Sequence, residues 1–117
     1  MMGQINILQT IEGITNRDQR YKIEAYNFVL EGLNYTVRQL KARRHVSGPE
    51  LLEGIKNYAK EQFGPMARTV FEHWGVNSTE DFGHIVFNLV EAKLLSKTED
   101  DSIEDFKDGY NFEQVFG

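Results

Sequence analysis

Residues 74–102, "WGVNSTEDFGHIVFNLVEAKLLSKTEDDS", decide how the chain is read. Asn77, Ser78 and Thr79 offer capping oxygens for a helix start, and Asp81 stands three residues after Ser78, where a carboxylate completes a capping box. Phe82, Ile85, Val86, Leu89, Val90 and Leu94 follow at i, i+3, i+4, i+7, i+8 and i+12, the spacing of one helix face. That helix should end near Ala92 or Lys93. Beyond it, "LLSKTEDDS" suits a strand entering a turn and "DGYNFEQVF" suits its return, with Gly109 free to take positive φ. The alternative is a short helix capped by Ser102 and running through Phe106.

Working outward, Pro65 opens a helix whose face is Ala67, Val70, Phe71 and Trp74, and Gly75 ends it. A helix over 65–75, a turn at 76–78, a capped helix over 79–93 and a hairpin over 94–112 give the order of a winged helix-turn-helix. Upstream, Ser47 followed by Glu50 is a second capping-box pattern, with Pro49 in the first turn. Leu51, Leu52, Ile55, Tyr58, Ala59 and Phe63 continue at helical spacing, and Gly64 suits a left-handed stop. Tyr26, Val29, Leu30, Leu33, Val37 and Leu40 predict a helix over about 21–40, with a strand at "NYTV" as the alternative. Gly32 weakens that helix by about 1 kcal/mol relative to Ala, which its length outweighs. Ile7, Leu8, Ile11 and Ile14 give residues 4–14 one stripe of a short helix.

The expected architecture is therefore mostly α: a single compact helical domain, winged-helix-like, with a small C-terminal β-hairpin. Its parts are an N-terminal helix and turn (1–20), a helical core (21–95) and an acidic C-terminal extension (96–117). A length of 117 residues suits one domain with a core of its own. The absence of cysteine removes disulfides, thiolate metal sites and thiol nucleophiles. There is no run of 18 apolar residues and no secretory pattern at the N-terminus, so a soluble cytoplasmic protein without membrane contact is expected.

The net charge of −5 conceals a gradient. Residues 21–45 hold five basic and two acidic groups, whereas residues 76–117 hold three basic and ten acidic ones. A nucleic-acid face needs clustered cations, and the one candidate is "RQLKARRH", with Arg38, Lys41, Arg43, Arg44 and His45. On a helix, Arg43 and Arg44 diverge by about 100°; in a loop they can converge on a phosphate or a carboxylate. The plainer account is a basic helix C-terminus that complements the macrodipole. A third use is internal, with this segment docking the acidic C-terminal region.

"RYKIEAYNFVLEGLNYTV", "RRHVSGPELLEGI", "EQFGPMARTVFEHWGV" and "STEDFGHIVFNLVEAKLLSKTEDDSIEDF" fall in order along the chain. Together they resemble the Minf-type family of small conserved bacterial hypothetical proteins, from about Arg20 to Phe116. The resemblance implies a bacterial origin. Because that family has no established activity, it assigns no catalytic residue.

As a reader of DNA, the helix over 79–93 would turn Glu80, Gly83, His84, Asn88 and Glu91 to solvent, with Asn88 suited to adenine and His84 to a groove contact. The acids on that face, and Glu99, Asp100, Asp101, Glu104 and Asp105 where a wing would lie, oppose phosphate. His45, His73 and His84 show no i, i+3 or i+4 pair, so no single helix presents two imidazoles to a metal. A site assembled in space would have to draw on His73, His84 and Asp81; the plainer readings leave His73 at a core edge beside Trp74 and His45 facing water or capping. "DDSIEDFKDG" fails as a calcium loop in both registers, since the glycine and the final glutamate never fall correctly together. No phosphate-cradling glycine loop or nucleophile elbow is present, and no cofactor is implied. Phe28 and Phe87 fall beside their helices' main stripes, widening the core or marking a partner groove.

The expected role is a small non-enzymatic interaction module that binds a protein partner. The first alternative is a nucleic-acid binder using segment 38–45. The second is an enzyme with its site around His73, His84 and Asp81.

Overall fold

Among residues 7–41 and 44–117, which the computed structural model describes, the chain forms six α-helices. They are α1 (Ile7–Arg17), α2 (Ile23–Gln39), α3 (Gly48–Phe63), α4 (Ala67–His73), α5 (Thr79–Glu91) and α6 (Phe112–Phe116). Single 3₁₀ turns lie at Gly64–Met66 and Ile103–Phe106. No β-strand occurs among the described residues, and none of their helices is long and apolar enough to cross a membrane.

Local chemistry sets the start of α3. Ser47 Oγ accepts from the Glu50 amide, and the Glu50 carboxylate accepts from the Ser47 amide, which is the reciprocal capping box its sequence predicts. At the other end Gly64 takes φ +52 with ψ −129, a positive-φ stop other than the left-handed helical one expected, and its amide donates to the Lys60 carbonyl. The Gly64–Met66 turn then delays α4 to Ala67, two residues beyond the expected start at Pro65.

Helices α2 and α3 lie very close, and small residues allow it. A Cβ built on Gly54 would fall 1.7 Å from Thr36 Oγ, so the two backbones meet where no larger side chain fits. Thr36 is itself buried, and its hydroxyl donates back to the Gly32 carbonyl at 2.7 Å, which removes the cost of an unpaired hydroxyl there.

The core is aromatic. Phe71 of α4 contacts the rings of Phe28 (α2), Phe63 (α3), Phe82 (α5) and both Phe112 and Phe116 (α6) at centroid separations of 5.2–6.3 Å. One side chain thus joins five of the six helices, in the edge-on and tilted geometries that aromatic quadrupoles favour. Phe28 is a core residue, 4% exposed, although it falls beside the main stripe of α2. The first helix contributes less than its pattern suggests: Ile11 and Ile14 are buried, whereas Ile7 and Leu8 are 50% and 55% exposed. The part of that expected helix at residues 4–6 lies outside the described residues.

The expected hairpin over 94–112 is not formed, and without a wing the winged-helix comparison loses its defining part. Helix α5 ends on time, with Ala92 as its C-cap and Lys93 at φ +66. After it the chain turns, and Ser102 caps the 3₁₀ turn Ile103–Phe106 through a capping box with Asp105, the alternative reading of this stretch. Two events stop a strand from returning. Asn111 caps α6 through its side chain, and Phe112 and Phe116, at helical spacing, bury against Phe71. The acidic segment therefore supplies core residues, Phe106 included, instead of trailing from the domain.

Gly54→Ala is expected to lower stability by about 1–3 kcal/mol, the usual cost of overpacking, with part of that loss recovered in the double variant Gly54→Ala/Thr36→Ala. Urea unfolding of the two variants and the parent protein checks this.

Candidate functional site

Helix α5 does not offer the reading face that its pattern suggests. Gly83 is buried, and a Cβ on it would lie 2.7 Å from Cβ of Phe106 and 2.8 Å from the Ile103 side chain. The 3₁₀ turn thus sits on the face that would enter a groove. Asn88 is also turned inward. Its amide donates to Asp18 at 2.9 Å and to the Tyr26 hydroxyl at 3.0 Å, joining α5 to the α1–α2 connection and to α2. His84 is half-buried and Glu91 is exposed, its carboxylate 3.6 Å from Arg17. The start of the helix departs from expectation as well. The Asp81 carboxylate accepts from the Asn77 amide at 2.8 Å and from the Tyr21 hydroxyl at 2.6 Å, and the Ser78 side chain makes no capping bond. Tyr21 lies 60 positions away in sequence, so local spacing could not reveal it as the competing donor.

A second tie holds the C-terminal segment in place. The buried Thr79 hydroxyl donates to the Phe106 carbonyl at 2.6 Å and accepts from the Gly109 amide at 3.0 Å. Beside it, a polar depression of about 340 Å³ is lined by Asn77, Ser78, Glu80, Asp108 and Asn111. Its two charged groups are both carboxylates, and no three His, Asp or Glu side chains gather to hold a metal among the described residues.

The structure divides the basic segment. Arg38 and Lys41 are exposed, and Arg43 lies outside the described residues. Arg44 grips Glu50 of α3 with both terminal nitrogens, at 3.0 and 2.5 Å, and donates to the His45 carbonyl at 2.9 Å. This pairing, followed by the Ser47 amide, pulls the Glu50 carboxyl down to about 2. His45 Nε2 stands 2.6 Å from Asp101 Oδ2 across 56 positions of sequence. Burial works to raise the Asp101 pKa, but the Thr98 amide and His45 outweigh it and hold the carboxyl below its usual range. One member of the basic segment thus meets the acidic C-terminal region directly, while its neighbour Arg44 is spent on α3.

Arg44 and His45 also line an open cavity of about 220 Å³ between α2, α3, α5 and the 95–106 segment. Leu33 and Val37 come from α2, Leu51 from α3, and Val86, Phe87 and Val90 from α5. Leu95 and Phe106 complete the apolar wall, and Lys97 and Asp101 join Arg44 and His45 at the polar edge. Phe87 is half-buried here with its ring edge-on to Phe106 at 6.4 Å, so the aromatic that falls off the α5 stripe faces this cavity. Sequence reading found Arg44, His45 and the anomaly of Phe87. It missed Lys97, Leu95 and the α2 wall, since nothing local marks residues that share a cavity only after α2, α5 and the C-terminal segment come together.

His73 is exposed on α4, Asp81 bonds Tyr21 and Asn77, and His73, His84 and Asp81 form no metal-holding group among the described residues. No family model, curated protein or solved structure matches the chain. Residue roles consequently rest on its own geometry.

Two outcomes test this arrangement. Thr79→Val strands the Phe106 carbonyl and the Gly109 amide, at a cost of about 1–3 kcal/mol, and should raise amide exchange across 103–116 more than in α2. The second concerns Asp18, whose pKa is held far below the usual carboxylate range. Arg20 hydrogen bonds pull it down, burial opposes them, and Asn88 adds to the fall. A depressed folded pKa stabilises above the unfolded value of about 3.9, and that contribution fades as pH falls below it. The stability gap between the parent protein and Asp18→Asn should therefore hold between neutral pH and about 5 and narrow below about 4, followed by urea midpoints at each pH.

Proposed function

We propose that this chain is a small non-enzymatic module that binds a protein partner by taking one apolar side chain of that partner into the cavity between α2, α3 and α5. The observation that carries the reading is the cavity itself: buried and half-buried aliphatic walls open to solvent beside a charged edge. Its size argues for a side chain over a cofactor. At about 220 Å³ it falls below the roughly 300–1,000 Å³ typical of small-molecule sites. A single deeply seated apolar anchor ringed by polar contacts is how many interfaces concentrate their binding energy.

The nucleic-acid alternative has less support. Asn88 is turned inward, Gly83 is covered by Phe106, and Arg44 and His45 already face carboxylates. Among the described residues of that segment, Arg38 and Lys41 remain as exposed cations, too few for the phosphate contacts that dominate such binding. The residues suggested for an assembled enzyme site form no metal-holding group among the described residues.

Selection from a displayed random-peptide library tests the proposal. Binders should share an apolar anchor and lose at least tenfold in affinity for Val90→Trp, which fills the cavity, while circular dichroism shows that variant folded. No enrichment, or binders indifferent to Val90→Trp, would remove the cavity from the proposal.

A further inference from the structure

We propose that the cavity reads a free C-terminus: the apolar last residue of a partner protein enters between α2 and α5, and its α-carboxylate is met at the mouth by Lys97. This rests on the partner reading above and specifies the partner's chemistry. A C-terminal apolar residue is the one peptide unit that carries a hydrophobic side chain and a full negative charge on the same carbon. The cavity pairs the matching features, with aliphatic walls from Val37, Val86 and Val90 beside a mouth edged by Arg44, His45 and Lys97.

The mouth also carries the carboxylates of Asp101 and Asp105, each already bonded through Oδ2. Asp101 Oδ2 takes the Thr98 amide at 2.9 Å and His45 at 2.6 Å, and Asp105 takes the Ser102 amide at 3.1 Å. Arg44 divides its guanidinium between Glu50 and the His45 carbonyl. Lys97, exposed on the cavity edge, takes part in none of the ion pairs found among the described residues. The ammonium is thus the charged group left for a ligand, and its three donors suit a carboxylate. An internal apolar anchor would cover this ammonium without giving it a counter-charge, which costs free energy. A terminal residue brings the counter-charge with it, in the manner of other C-terminus-capturing sites.

Pentapeptides Gly-Ser-Gly-Ser-Leu and Gly-Ser-Gly-Ser-Phe, each as free acid and as C-terminal amide, are titrated into the ¹⁵N-labelled protein, with octanoate as a non-peptide acid. The free acids should shift the Val90 and Lys97 amides to saturation, with the amides at least tenfold weaker. Lys97→Gln should abolish that difference without moving the melting temperature. Equal binding of acid and amide overturns the C-terminal reading and leaves the partner proposal standing. Saturation by octanoate without peptide binding overturns it in favour of small carboxylic acids. If no probe shifts these amides at millimolar concentration the C-terminal reading is likewise overturned, and the library selection then decides the partner proposal separately.

Discussion

Phe106 seated on Gly83 is the contact on which the rest of this structure depends. It converts a segment that reads as an acidic tail into a structural layer over α5, and the Thr79 hydroxyl fixes that layer through the Phe106 carbonyl. A residue any larger than glycine at 83 would lie within 3 Å of both Phe106 and Ile103, so the seating is a consequence of that single small position. Once the 3₁₀ turn is docked there, the outward face of α5 is no longer free to read anything. The same docking brings Asp101 to His45 and makes Phe106 a wall of the cavity. Loss of the reading face and gain of the cavity are one event.

The second support is the ring cluster around Phe71. Aromatic side chains bury large areas and hold each other in defined orientations, and a chain of 117 residues with 8 phenylalanines can centre its core on them. Because Phe112 and Phe116 both touch Phe71, the last helix has a reason to form despite being only five residues long. Isolated, such a helix would not persist in water. Tertiary contact supplies its stability, and the Asn111 cap sets where it starts.

Local signals in the sequence located what local forces decide. The Ser47–Glu50 box, the positive-φ stop at Gly64, the end of α5 near Ala92 and the Ser102 cap involve partners within a few residues, so spacing alone exposes them. Failures came where a distant group competes. Asp81 serves Tyr21 and Asn77 instead of closing a box with Ser78, and Asn88 turns inward because Asp18 and Tyr26 lie 70 and 62 positions away. The hairpin was wrongly expected because glycine and polar residues mark a turn equally well before a strand or before a capped helix. The i, i+4 spacing of Phe112 and Phe116, with Asn111 ahead of them, was the discriminating sign. A small part of the candidate site was therefore visible, as Arg44, His45 and the off-stripe Phe87. The rest depends on the junction of α2, α5 and the C-terminal segment, which no local period encodes.

Charge counts mislead here for a related reason. Residues 76–117 hold ten acidic groups, and a run of that kind reads as a solvated face that repels anions. Three of these acids, Asp81, Asp101 and Asp105, instead accept from backbone amides at the starts of turns and helices. Lone pairs engaged in this way are poor partners for an incoming cation, and the dipoles they accept from offset part of their field. At the cavity mouth this leaves Lys97 as the charged group with donors to spare, inside the most acidic stretch of the chain. The local sign that a ligand meets is thus set by which charges are already bonded, and it can oppose the sign of the sequence around it.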